Sequence, residues 1–332
     1  MLHMKRSLRF ENTDFRRRVV VSAATVSLYG FAVMAIASDP PVAAAAVGYT
    51  TNTFSSNFTP ANVDVSNSGK QGFAWYPWNL FGHHTNTAAL KLNTDNSITL
   101  MGDTTGPNGE LVSATAANNP QKFVGTAFGG GAYIDAEIKF DPQSVASANT
   151  KGWPSFWSLA LEDSVLPGGS QWSGQPPGYK HSVEVDFFEY LYLPYGVPRN
   201  VYGAGMHDWY GIPNVTCPRG LCAQHMQPNE PKRVTPAGTD FTQYHHFAFL
   251  WVPASAASQG YSRFYFDGQV MGPDRVWTKF DNQPPPPTNQ PWAFGRLDQE
   301  HLVLILGTGP NEPMTIGSVN VWQASDAGNL HQ

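Results

Sequence analysis

The chain has 332 residues, of which 41% are hydrophobic and 13% aromatic, ample for a sizeable core. Only 14% are charged, against about 25% in an average soluble domain, while Gly (31), Pro (27) and Trp (10) are plentiful. This composition excludes a predominantly helical protein and points to a turn-rich, aromatic-rich β protein, and the net charge of −5 makes nucleic acid a poor partner.

Residues 1–37 read as an export signal. A basic stretch, MLHMKRSLRFENTDFRRR, precedes an apolar run, VVVSAATVSLYGFAVMAIA, and Ala35-Ile36-Ala37 is a small-x-small cleavage pattern. The run is long enough to span a bilayer, so an uncleaved anchor is the alternative. Arg16-Arg17-Arg18 resembles a twin-arginine signal. Cleavage after Ala37 removes six basic and two acidic residues and takes the net charge from −5 to −9. The expected location is secreted or periplasmic, with no membrane partner unless the segment stays attached. Residues 38–60, rich in Ala, Ser, Thr and Asn, read as a flexible lead-in to one domain over 61–325.

Short β-like runs then recur between turn signals. In AYIDAEIKF (132–140), Tyr133 and Asp135 fall on one face and Ile134, Ala136 and Ile138 on the other. HHFAFLWV (245–252), SRFYFDG (262–268), HLVLILG (301–307) and MTIGSVNVW (314–322) read as further strands. Asp267-Gly268 is a hairpin-turn signal. No segment keeps a long 3.6-residue period. The expected fold is all-β, a two-sheet β-sandwich or jelly roll.

The stretch SVEVDFFEYL (182–191) places Glu184, Asp186 and Glu189 within six residues of an apolar, β-prone sequence. Strict alternation puts Glu184 and Asp186 on one face and Val183, Val185 and Phe187 on the other, and sends Glu189 to the apolar side. One extra residue in a bulge at Phe187-Phe188 returns Glu189 to the face of the other two carboxylates. Paired carboxyl groups about 5–5.5 Å apart are the apparatus of retaining glycoside hydrolysis, and like charges so close raise at least one pKa. A solvated acidic edge strand and a calcium site are the competing readings.

Cys217 and Cys222, the only cysteines, suit a short-loop disulfide in an exported protein, and no zinc-like spacing accompanies them.

Glu184-Val185-Asp186-Phe187-Phe188-Glu189 resembles the bulged E-x-D-x-x-E signature of glycoside hydrolase family 16. The resemblance extends, in order, through YIDAEIKF (133–140), GWPSFWSL (152–159), NVYGAGMHDW (200–209), DFTQYHHFAFLWVP (240–253), RFYFDGQVMG (263–272), HLVLILGTG (301–309) and MTIGSVNVWQ (314–323). It implies a concanavalin A-like jelly roll and double displacement, with Glu184 as nucleophile, Glu189 as acid/base and Asp186 assisting between them. Trp157, Trp153, His207 and Trp209 are then expected beside a polysaccharide chain, with indole faces stacking on sugar rings. Tyr210, Trp172 and Tyr195 are looser candidates on loops, and Phe156 is expected in the core.

The sequence also departs from the pattern. Gly317 stands where many members carry an Asp that helps bind calcium, so no metal or other cofactor is expected. Leu306-Gly307 stands where an Asn is usual. The expected substrate is a β-1,3- or mixed-linkage glucan. Galactan cleavage, transglycosylation and a non-catalytic sugar-binding protein are the alternatives.

Overall fold

Alternation of side chains builds the sandwich. A computed structural model describes residues 39–78, 85–102, 109–117, 122–145, 152–166, 177–190, 199–215, 222–225, 232–279 and 294–332. The export-signal segment, Cys217, Trp172 and Tyr195 lie outside the described residues, as does the side chain of Cys222, and with them the expected disulfide.

The first strands are β1 (Thr51–Ser56), β2 (Tyr76–Pro77), β3 (Leu90–Leu92), β4 (Ile98–Leu100), β5 (Glu110–Val112), β6 (Ala114–Ala116), β7 (Phe123–Ala127) and β8 (Ala132–Phe140). The middle of the chain adds β9 (Ser155–Ala160), β10 (Lys180–Glu189), β11 (Val201–Gly211), β12 (Cys222–His225) and β13 (Lys232–Val234). The last are β14 (His245–Val252), β15 (Gly260–Phe266), β16 (Gln269–Val270), β17 (Arg275–Trp277), β18 (Leu302–Gly307), β19 (Met314–Gln323) and β20 (Leu330–His331).

One sheet runs β16-β15-β14-β8-β19-β4-β3, with β1 also on β19 and β17 on β15. The other runs β12-β11-β10-β9-β18-β5-β2, with β13 on β11. All pairings within the two are antiparallel, and β20-β7-β6 forms a small separate sheet. The fold is the expected two-sheet β-sandwich of jelly-roll type. Among the described residues no helix is long and apolar enough to cross a membrane.

The core lies between the sheets. Ile134, Ala136, Ile138 and Phe140 of β8 meet Val183, Val185, Phe187 and Phe188 of β10 there, with Phe247, Phe249 and Trp251 of β14 and Leu302, Leu304 and Leu306 of β18. On β8, β14 and β18 these residues alternate along the strand, as one face of a strand requires, and β10 breaks the alternation at Phe187-Phe188. The hairpin from β15 to β16 turns through Asp267 and Gly268, both at positive φ (45° and 75°), as a two-residue turn of matching twist needs.

Residues 38–60 differ from the expected loose lead-in. β1 adds to β19 from Thr51↔Gln323 to Ser56↔Val319, and Val42–Ala45 forms one helical turn before it. The bonding partner lies some 270 residues downstream, so local composition carries no sign of it.

Candidate active site

The register of β10 contains the expected bulge. Asp186 faces Gly205 and Glu189 faces Gly203, so three steps on β10 match two on β11. The same irregularity appears against β9, where Asp186 faces Trp157 and Phe188 faces Phe156. The extra residue lets both Phe187 and Phe188 point into the core, each with no exposed surface, and this turns Glu189 back toward Glu184 and Asp186. Burying both rings favours the irregular strand, because a straight one would expose a ring or bury a carboxylate.

All three carboxylates line one cavity of about 180 Å³, together with Glu110, Gly152, Trp153, Ser155, Trp157 and Thr308. Each expected acid has an aromatic or imidazole partner. Trp209 Nε1–H donates to Glu184 Oε2 at 2.8 Å. Trp153 Nε1–H donates to Glu189 Oε1 at 2.9 Å. His207 Nε2 lies 2.7 Å from Asp186 Oδ2, and its ring stacks near Trp209 at 6.2 Å with a 20° tilt. The two indoles are hydrogen-bond donors to carboxylates, a sharper role than the stacking surfaces read from sequence.

Burial is the main influence on Glu184. Together with the Asp186 carboxylate beside it, burial pushes the Glu184 carboxyl up to about 8, against the opposing pull of His207 and the Trp209 indole. Asp186 itself is almost fully buried.

The floor is aromatic and small by turns. Trp157 projects from β9 onto the cavity side and packs against Trp78 at 5.7 Å. Phe156 lies in the core, as expected. Tyr210 does not reach the cavity. It is buried against Tyr179 and the edge of the His181 ring, because its position on β11 lies three residues from His207 and so on the opposite face.

Four lining residues escaped the sequence reading: Glu110, Ser155, Thr308 and Gly152. Burial alone pushes the Glu110 carboxyl up to about 7.

Glu184, Asp186 and His207 are the one group of three among the described residues whose ligand atoms could converge on a metal ion, within 4.8 Å of one another. At Gly317 an added Cβ would collide with the Glu137 carboxylate, so a side chain there requires Glu137 to move.

No protein-family model and no curated protein sequence matches the chain. Among solved structures it is similar to an endo-1,3-beta-glucanase from Streptomyces sioyaensis, at 17% identity and a TM-score of 0.48 over 85% of this chain and 97% of that one. It is similar also to beta-agarase A from Zobellia galactanivorans, at 12% identity and a TM-score of 0.47 over 78% of this chain and 83% of that one. A third is alginate lyase vAL-1 from Chlorella virus, at 11% identity and a TM-score of 0.39 over 80% and 99%. These likenesses lie below the level at which a neighbour informs chemistry, so the chemistry rests on the side chains themselves.

Proposed function

We propose that the protein is an exported, endo-acting hydrolase of β-linked polysaccharide that works by double displacement. The observation that carries this reading is the β10 bulge, which gathers Glu184, Asp186 and Glu189 into one cavity floored by Trp157. The ordered motif resemblance to glycoside hydrolase family 16 supports it independently.

In this reading Glu184 attacks the anomeric carbon and Glu189 protonates the departing oxygen, then deprotonates the incoming water. The attack needs an anionic Glu184. The proton that burial favours on Glu184 is then carried by Asp186 as the sugar enters, while the Trp209 N–H holds the Glu184 anion. His207 fixes Asp186 from the far side. Two carboxyls and a shared proton are a complete set for glycoside hydrolysis. The reaction then needs no metal, and activity is expected to survive exhaustive treatment with a chelator.

Within this class a β-1,3- or mixed-linkage glucan is the proposed substrate, with galactans as the second choice. The test is incubation of the exported form with laminarin, barley mixed-linkage glucan, xyloglucan, agarose and carrageenan, beside a Glu184→Gln control. Shortened oligosaccharides from a glucan, absent in the control, are expected. Products that persist in the control overturn the assignment of Glu184, and binding without any product moves the reading to a sugar-binding protein.

A further inference from the structure

Glu110 stands 74 positions before Glu184 in the sequence, yet the sheet brings it into line with the catalytic candidates. Glu189 faces Ser155 across the β10–β9 ladder, Ser155 faces Gly307 across β9–β18, and Gly307 faces Glu110 across β18–β5. Directly opposed residues present their side chains on the same face. One straight cross-strand row therefore runs carboxylate, Ser, Gly, carboxylate. Its ends are three strand spacings apart, about 14 Å of backbone. Ser155 and Gly307 rise little above the sheet, so the row is a trough with an acid at each end.

Gly307 keeps the middle of the row low. A Cβ there would lie 3.3 Å from Glu110 Cγ and 3.4 Å from Ser155 Oγ, tight against both. The Glu110 side chain is half-buried, lines the cavity, and accepts no hydrogen bond and makes no ion pair with any described residue. Burial holds this carboxyl above the usual range, and it opens onto the cavity, where a neutral hydroxyl can meet it. Its natural partner is a group the cavity admits.

The charge of that cavity limits what can enter. Its described lining holds four carboxyl groups, Glu110, Glu184, Asp186 and Glu189, and no Lys or Arg. Sulfate esters and uronates need basic side chains to hold them and would meet like charge here.

We propose that Glu110 is a specificity-determining residue. It binds a hydroxyl of the sugar ring that lies over Ser155 and Gly307, next to the ring being cleaved, and restricts the cleft to neutral polysaccharides. This rests on the reading of the cavity as a glycan site and narrows its substrate to the uncharged class.

The experiment is calorimetric titration of the chain carrying Glu189→Gln, which stops turnover, with three probes: laminarin oligosaccharides, neutral agarose oligosaccharides and sulfated carrageenan oligosaccharides. At least one neutral probe is expected to bind and the sulfated one not. Adding Glu110→Ala is expected to weaken the neutral affinity about tenfold, the scale of one hydrogen bond to a charged group. Adding Glu110→Gln, which keeps the shape, is expected to lose less for the neutral probe and to gain measurable binding of the sulfated one. In the unmodified catalytic background, Glu110→Gln is expected to raise KM and leave kcat nearly unchanged.

Unchanged neutral affinity in the Glu110→Ala background overturns the proposal. So does a sulfated probe that binds at least as well as every neutral one, or no binding of any neutral probe. Neutral binding that depends on Glu110, in a chain whose unmodified form releases no product, leaves the proposal standing and removes the hydrolase reading.

Discussion

β10 keeps acids near both of its ends, and the two ends hold them differently. Near its start, the Val183 N–H donates to Glu300, 3.1 Å from Oε2, and Arg296 Nε lies 3.3 Å from Glu300 Oε1. His181 Nε2 sits 2.5 Å from Asp208 Oδ1, and all four side chains are buried. Each acid there has a basic partner. Near the other end, Glu184, Asp186 and Glu189 are met by two indoles and one imidazole, and they open onto a cavity without Lys or Arg in its described lining. Burial raises the carboxyl pKa at both ends, for Glu300 as for Glu184. A raised pKa therefore does not by itself mark chemistry on this strand. Access to a cavity does.

Neutral substitutions test this contrast most sharply. Glu184→Gln and Glu189→Gln are each expected to lower kcat on the polysaccharide that is cleaved on the order of 10³-fold, while the folded protein keeps its melting temperature or gains. A loss of less than tenfold in either would take that residue out of the reaction. Arg296→Met should do the opposite. It keeps the apolar stem but leaves Glu300 without its cation in full burial, at a cost of about 3–5 kcal/mol of stability. Denaturant melts would read that loss, and activity per folded molecule should stay near that of the parent.

A smaller effect is expected from Trp209→Phe, which removes the N–H held against Glu184. The rate should fall about tenfold. Without that donor the Glu184 carboxyl rises further, so the acid limb of the pH–rate curve should move to higher pH. A tenfold loss with an unmoved limb would mean that Trp209 only packs.

Much of this end of β10 was legible before the structure. The conflict between Glu189 and strict alternation is a local fact, and one extra residue at Phe187-Phe188 resolves it. β8 and β14 were legible as β-prone, largely apolar runs between turn signals. Glu110 was not. ELV is a three-residue strand, and only its register against Gly307 reveals the row that ends at Glu189. β1 stayed hidden in the same way, because its hydrogen bonds are supplied by β19. The departure at Gly307 was visible in the sequence, but its meaning was not, since a missing side chain acquires a consequence only when its two neighbours across the sheet are known.

The smallest expected effect separates Glu110 from Glu300 by pH. Burial raises the Glu110 carboxyl to about 7 in the folded chain, from about 4.3 when unfolded. A raised carboxyl makes the native state the better proton binder, so its contribution to stability is fully present below about pH 4.3 and is lost as pH rises through about 7. Glutamine cannot ionise and escapes that loss. Glu110→Gln and the parent should therefore melt together near pH 4, and the variant should melt a few degrees higher above pH 7. Equal melting temperatures at both pH values would mean that the Glu110 carboxyl already has a partner or reaches water freely, and would remove the reason for assigning it a sugar hydroxyl. The same exchange at Glu300 carries the other sign. There the amide cannot neutralise Arg296, so Glu300→Gln should lower the melting temperature even near pH 7, because Glu300 has a fixed counterpart in Arg296 whereas Glu110 makes no ion pair with any described residue.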